Sequence, residues 1–183
     1  MKEIWKLPES LETDRLLIRP FIPDDFEPFF SFLRDDRATR YLSFTREQRT
    51  FQGAQDLVDM IVANYGKPEQ IFVLAVIRKQ DLQYVGSLGL YPVDSSSDTE
   101  IFYTLLPKYW GKGYATEASH RLLAYAFSEL GLERIVAFIF PHNEASERVA
   151  VRLGMMDLGF ILKKLDSQKV KLYSLNRAEF FTR

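Results

Sequence analysis

Gly111 and Gly113 lie inside the run Pro107-Lys108-Tyr109-Trp110-Gly111-Lys112-Gly113-Tyr114-Ala115-Thr116-Glu117-Ala118. Glycine adopts positive φ without strain and lets the backbone approach a bulky anion closely. The residues before the run, Glu100 to Leu106, read as a strand, and those from Tyr114 to Leu130 read as a helix. The first N–H groups of a helix have no acceptor within it and stand at the positive end of its dipole. The spacing therefore predicts a phosphate or pyrophosphate cradle, with a plain strand-to-helix turn as the alternative. The amides of Gly111, Lys112, Gly113, Tyr114 and Ala115 would surround the anion, and Thr116 would add a hydroxyl. Two generic phosphate motifs fail in detail, since there is no third glycine of a dinucleotide fingerprint and no Gly-Lys-Ser/Thr ending. A nucleotide-binding domain of either kind is disfavoured.

Other residue types with chemical capacity are sparse. Glu100 begins the strand that enters the glycine run; it is a candidate proton acceptor or a solvated strand end beside an acidic loop. Asn143, with Ser146 in the next turn, reads as a helix start. Arg148 and Arg152, four residues apart on that helix, either meet an anion or form a solvated face. His120 falls on the face of the helix after the glycines, and His142 precedes the Asn143 cap. Two histidines are too few for a histidine-rich metal centre, so no metal is expected. The absence of cysteine excludes disulfides, thiolate metal sites and a cysteine acyl-enzyme.

The elements that must position these groups follow from periodicity and breakers. Arg15 to Pro20 reads as a first strand. Pro23-Asp24-Asp25 starts a helix with Phe26, Phe29, Phe30 and Leu33 on one face. Asp36 to Leu42 is a short helix or turn, and a longer helix is expected from Thr45, paired with Gln48, to about Asn64. Gly66-Lys67-Pro68 breaks the chain. Ile71 to Arg78 is a continuous apolar run, the sign of a buried strand. Tyr84 to Val93 returns as its hairpin partner, Asp94 to Asp98 is a polar loop, and Glu100 to Leu106 is the third strand of the meander. Gly131 ends the helix after the glycine loop. Arg134 to Phe140 is a strand, Asn143 to Leu153 a short helix closed by Gly154, and Asp157 to Leu165 and Lys169 to Leu175 are two last strands joined at Asp166-Ser167-Gln168. The fold class is α/β in the order β-α-α-β-β-β-α-β-α-β-β.

The chain has 183 residues, enough for one domain with a full core, expected over residues 1–183. A formal charge of −1 argues against a nucleic-acid binder that relies on a broad basic surface and leaves a local basic patch open. No apolar run approaches the ~18–20 residues of a membrane span, and Met1 to Ser10 lacks the apolar core of a signal peptide. A cytoplasmic protein, monomeric or homodimeric and with no membrane partner, is the expectation.

Trp110-Gly111-Lys112-Gly113-Tyr114-Ala115-Thr116-Glu117-Ala118 resembles the acyl-CoA pyrophosphate loop of the GCN5-related N-acetyltransferase (GNAT) superfamily. Thr13-Asp14-Arg15-Leu16-Leu17-Ile18-Arg19-Pro20 is similar to the opening strand of its RimJ/RimL-like ribosomal-protein acetyltransferase branch. Asn143-Glu144-Ala145-Ser146, with Arg148 and Leu153-Gly154-Met155, resembles that branch's second cofactor motif, and Glu100-Ile101-Phe102-Tyr103 matches the strand entering the loop. The matches run in family order from residue 13 to about 160. Lys108 stands where the wider superfamily prefers Gln or Arg.

The resemblance implies a mixed, strongly twisted sheet of about six to seven strands flanked by helices and splayed between its fourth and fifth strands. It implies acetyl-CoA as co-substrate and an acetyl transfer to a primary amine by direct attack in a ternary complex. Backbone groups of Tyr103, Thr104 and Leu105 would bond the pantetheine arm and polarise the thioester carbonyl. Asn143 would bond the pantetheine or the adenosine-side phosphate arm, Ser146 would protonate the departing thiolate, and Arg148 and Arg152 would meet the 3′-phosphate. Glu100 would take the proton that the amine must lose before it can attack. Tyr41 or Phe44 would line the acceptor site. The acceptor is a protein N-terminal α-amine, as in the ribosomal-protein branch, or a small-molecule amine. The rival from another class is a non-catalytic acyl-CoA-binding sensor or interaction domain on the same scaffold.

Overall fold

The computed structural model describes residues 5–67, 71–93, 98–163 and 168–182. The apolar run after residue 70 forms β3 (Phe72–Arg78), buried from Phe72 to Ile77. A strand with every side chain buried needs cover on both faces, and helices supply it. On β3's two sides lie β2 (Leu16–Pro20) and β4 (Gln83–Pro92), both antiparallel to it. Beyond β4 comes β5 (Thr99–Leu105), again antiparallel. β6 (Arg134–Ile139) is parallel to β5, and β7 (Met156–Leu162) and β8 (Lys169–Asn176) complete the sheet on the β6 side. A two-residue strand, β1 (Leu11–Glu12), pairs with Ile18 and Leu17 of β2. The sheet order is β1-β2-β3-β4-β5-β6-β8-β7.

Eight strands replace the expected six to seven, because β1 is too short for alternation to show in sequence. The helices are α1 (Phe26–Arg34), α2 (Asp36–Thr39), α3 (Phe51–Asn64), α4 (Tyr114–Ser128), α5 (Glu144–Arg152) and α6 (Arg177–Phe181). Thr45 and Gln48 do bond reciprocally, Thr45 N–H to Gln48 Oε1 at 2.9 Å and Gln48 N–H to Thr45 Oγ1 at 3.1 Å. They cap a 3₁₀ turn at Glu47–Arg49 instead of the long helix. Thr50 caps α3, its hydroxyl accepting from Gly53 N–H. The short C-terminal α6 was not expected; its Phe180 packs on Phe127 of α4, ring centres 5.3 Å apart. Asp94–Ser97, Asp166–Ser167 and Pro68, in the expected loops and break, lie outside the described residues.

One irregularity decides where a ligand fits. β5 and β6 pair only through Thr99–Ile135 and Glu100–Val136, and beyond Glu100 they part. The split falls between the fourth and fifth of the strands read from sequence. The helix that crosses between these strands, α4, buries Ala118, Leu122, Leu123, Ala126 and Phe127 against the sheet. Its N-terminus is therefore fixed beside the open end of the split.

Candidate active site

After β5 a 3₁₀ turn, Pro107–Tyr109, leads into the glycine loop. Gly111 has φ +73° and Gly113 φ +82°, and Gly113 is the N-cap of α4. The first N–H in α4 to bond back is that of Glu117, to the Gly113 carbonyl at 3.0 Å. Those of Tyr114, Ala115 and Thr116 thus have no acceptor within the helix. The Thr116 hydroxyl is buried and has no hydrogen-bond partner among the described residues. A buried, unsatisfied hydroxyl at a helix start suits an oxyanion ligand. Lys112 is exposed, and its side chain stays out of the cleft lining.

A strap from the far side of the sheet holds this loop. Arg15, just before β2, bonds Glu117 through Nε at 2.6 Å and through Nη2 at 2.5 Å. Its Nη1 donates to the Lys112 carbonyl at 3.0 Å, and its guanidinium lies 4.6 Å from the centre of the Tyr114 ring. Thr13 adds a bond from its hydroxyl to Glu117 at 2.6 Å. Burial by itself would raise the Glu117 carboxyl, but the bonds from Thr13 and Arg15 hold it below its ordinary value. The Thr-Asp-Arg-Leu motif is thus the clamp of the glycine loop, a role that its strand-like pattern alone did not disclose.

The split supplies backbone groups. Leu106 N–H bonds the Val85 carbonyl at 3.0 Å. Residues alternate along an antiparallel ladder, so Thr104 also turns its backbone to β4, while Tyr103 and Leu105 turn theirs to the parted edge. The Leu105 carbonyl there accepts from Trp110 Nε1 at 2.9 Å. Thr104 instead places its hydroxyl 2.9 Å from that of Ser87. All three candidates line the cleft, with the backbone groups of Tyr103 and Leu105 toward the parted edge and those of Thr104 toward β4. The Tyr103 side chain spans the split, its hydroxyl donating to the Ser146 carbonyl at 3.1 Å, and burial raises its pKa.

α5 forms the other wall. The Asn143 side-chain oxygen accepts from Ser146 N–H at 3.3 Å, so the cap role is real and the amide NH₂ is what remains for a ligand. Asn143, Ser146, Arg148 and Arg152 all line the cleft, and Arg148 also pairs with Glu144 at 3.4 Å. His142 has φ +69°, and its carbonyl accepts from Tyr41 Oη at 3.0 Å, joining the loop after α2 to the loop before α5. Tyr41 lines the cleft beside Phe140, whereas Phe44 packs on Phe32 in the core. His120 packs on Phe180 outside the cleft.

The cleft holds about 950 Å³ and brings the glycine loop, the parted edge, α5 and Glu100 together. Glu100 stands where β5 and β6 separate. Burial raises its carboxyl above its ordinary value, against the pull of Lys163, whose Nζ is 3.4 Å from Oε2. Lys163 also lies over the Phe138 ring at 4.6 Å. Neither Lys163 nor Phe138 was picked out from sequence, since only the β7–β8 pairing on β6 brings residue 163 back to Glu100. Among the described residues no cluster of His, Asp or Glu could hold a metal ion, and no helix is long and apolar enough to cross a membrane.

Comparison with known proteins agrees with this geometry. Residues 15–156 match the acetyltransferase (GNAT) domain family. The uncharacterized N-acetyltransferase YoaA of Bacillus subtilis is 30% identical over 167 residues, covering 91% of this chain and 93% of YoaA. A GNAT-family acetyltransferase structure from Bacillus anthracis superposes with TM-score 0.77 at 28% identity, covering 93% of this chain and 99% of that one. Mycobacterium smegmatis RimJ, solved with CoA-disulfide, shares the fold at TM-score 0.73 and 19% identity, over 90% of this chain and 83% of its own. The chain belongs to the acetyltransferase (GNAT) domain family and is an acyltransferase.

Proposed function

We propose that the protein transfers the acetyl group of acetyl-CoA to a primary amine by direct attack within a ternary complex. The observation that carries this reading is the parting of β5 from β6 beside a helix start opened by Gly111 and Gly113, with the Thr116 hydroxyl unsatisfied. The amides from Gly111 to Thr116 hold the pyrophosphate. The edge groups of Tyr103 and Leu105, with the Asn143 amide, hold the pantetheine arm, and an edge N–H of β5 stabilises charge that develops on the thioester oxygen. Acetyl-CoA supplies the activated acyl group.

Glu100 takes the amine proton, directly or through water. Its raised pKa makes it a stronger base than a solvated carboxylate. Ser146 donates a proton to the departing thiolate, whose own pKa near ~8.5 makes this a modest demand. The acceptor is a protein N-terminal α-amine, a reading supported by a ribosomal-protein-S5-alanine acetyltransferase of Vibrio fischeri among the proteins of this fold, or a small-molecule amine. Initial-rate kinetics with a panel of amino-terminal peptides, polyamines and amino acids tests the reading. Saturable acetyl-CoA consumption that needs the amine supports it, and tight acetyl-CoA binding with no turnover on any amine refutes it. One observation favours that rival, a non-catalytic acyl-CoA-binding domain: Lys163 already engages the proposed base.

A further inference from the structure

Lys163 follows β7 directly, and among the described residues it is the lysine in the lining of the cleft. Its Nζ is 3.4 Å from Glu100 Oε2 and 4.6 Å from the centre of the Phe138 ring. A carboxylate to take a proton and an aromatic face to hold a cation are what an incoming amine needs. Lys163 is itself a primary amine, and with 31% of its side chain exposed it is not locked in place. The paired lysines elsewhere differ. Lys171 is held by Glu147 at 2.7 Å, and Lys79 by Glu12 and the Thr13 carbonyl, both at 2.7 Å, and neither lines the cleft.

We infer that Lys163 is an acceptor for the protein's own acetyl transfer, an intramolecular N-acetylation site. The inference rests on the acetyl-CoA reading of the cleft. Lys163 Nζ loses a proton to Glu100, and its lone pair then forms the N–C bond to the thioester carbonyl as the C–S bond breaks. Of the two protons that Nζ gives up in all, one ends on the CoA sulfur and the other passes to water. No oxidation state changes. A tethered amine has an effective concentration in the millimolar range or above, so the step proceeds when no external amine is present. Acetylation removes the Lys163 charge, and the modified enzyme presents Glu100 without its ion pair.

The test incubates the purified full chain with acetyl-CoA and no added amine, and follows intact mass and peptide fragmentation over time. Lys163 should be labelled in a first-order process independent of protein concentration. Its rate should exceed that of the exposed Lys6 and Lys67 by about 10²-fold or more, the range of a positioned acid–base group. Glu100→Gln should slow labelling at Lys163 by about 10²–10⁴-fold and leave Lys6 and Lys67 unchanged, and Lys163→Arg should abolish the early single addition. Labelling of Lys163 no faster than Lys6 and Lys67, or a rate proportional to protein concentration, overturns the inference. If Glu100→Gln does not fold, the comparison of these three lysines within the wild-type protein carries the test. Calorimetry showing no acetyl-CoA binding would bring down the reading of the cleft as well. Binding and turnover of added amines with Lys163 unmodified would overturn this inference alone.

Discussion

Gly111→Val separates the anion cradle from the fold that carries it. Gly111 has φ +73°, and nothing lies within 4 Å of a Cβ built there, so the cost to the fold is backbone strain and not collision. An L-residue in the left-handed region costs roughly 1–2 kcal/mol. Against a total stability of about 5–15 kcal/mol the variant stays folded. Its Tm should fall by about 2–8 °C for a domain of this size. The loss in binding is larger. The new methyl groups stand where the anion approaches, and the neighbouring N–H groups turn to relieve the strain. Two hydrogen bonds to a charged group, at about 1.5–3 kcal/mol each, amount to about 3–6 kcal/mol, or a factor of about 10²–10⁴ in Kd.

Gly131 provides the control. It has φ +67° and equally open space around its Cβ, but it lies at the far end of α4, outside the cleft. Gly131→Val should lower Tm by a similar amount and leave acetyl-CoA affinity alone. Scanning calorimetry and isothermal titration of the two variants read both quantities. Wild-type affinity in Gly111→Val would place the pyrophosphate elsewhere. An equal loss of affinity in Gly131→Val would show that strain anywhere in the protein, and not the cradle, weakens binding.

Other expectations concern the chemistry and the clamp. Glu100→Gln should cut kcat by about 10²–10⁴-fold with acetyl-CoA affinity little changed. Because burial raises the Glu100 pKa, the base form is lost as pH falls through a value above the ordinary 4.5; the variant should lack that acidic limb and lose less at high pH, where more amine is already neutral. Ser146→Ala should cost less than Glu100→Gln, since the thiolate can leave unaided, and a reversed ranking in a pH–rate series would exchange the two assignments. Initial-rate plots should intersect, and no acetyl group on the protein should be chased onto an added amine; a chaseable acetyl-enzyme excludes direct attack. Arg15→Ala should raise the KM for acetyl-CoA by about three- to tenfold with kcat nearly constant, and Arg15→Lys should recover part of it, lacking the fork that grips Glu117; a fall in kcat alone would mean that Arg15 does not act through the loop.

Much of this was legible in sequence because each signal was local. The positive φ of Gly111 and Gly113 follows from residue type, the buried β3 from seven consecutive apolar residues starting at Ile71, and the α5 cap from Asn143. Thr45 and Gln48 show the limit of such reading: the reciprocal cap is there, but only tertiary packing decides whether a 3₁₀ turn or a long helix follows. The contacts that were missed are all non-local. Arg15 meets Glu117 across 102 residues, Tyr103 meets Ser146 across 43, and Lys163 meets Glu100 across 63. Residue type marked each of these groups as polar, but pairing depends on the order of strands in the sheet. Thr104 illustrates the same point at the smallest scale, since the ladder's register alone turns its backbone away from the opening and its neighbours' toward it.

The split sheet divides the work in a way that explains which half of the function sequence can reach. The proposed donor binding along the parted edge and the helix start uses backbone groups, which any residue supplies once glycines and strand register set the geometry. That half is written in a few permissive positions and is readable as a motif. The proposed acceptor end draws on cleft-lining side chains from separate elements: Tyr41 from the loop after α2, Glu100 from β5, Phe138 from β6 and Lys163 after β7. No spacing rule links them, and each can change without disturbing the cradle. The same scaffold can therefore keep one acyl donor while its acceptor varies, which is why the choice of amine must be read from the chemistry at Glu100 and Lys163. An ammonium already seated against the base favours acceptors able to displace it, and a Lys163→Ala variant should accordingly lower the KM of cationic amines more than that of amines carrying a carboxylate. Amine-panel kinetics decide this, and an equal shift for both classes would mean that Lys163 does not stand where the acceptor binds.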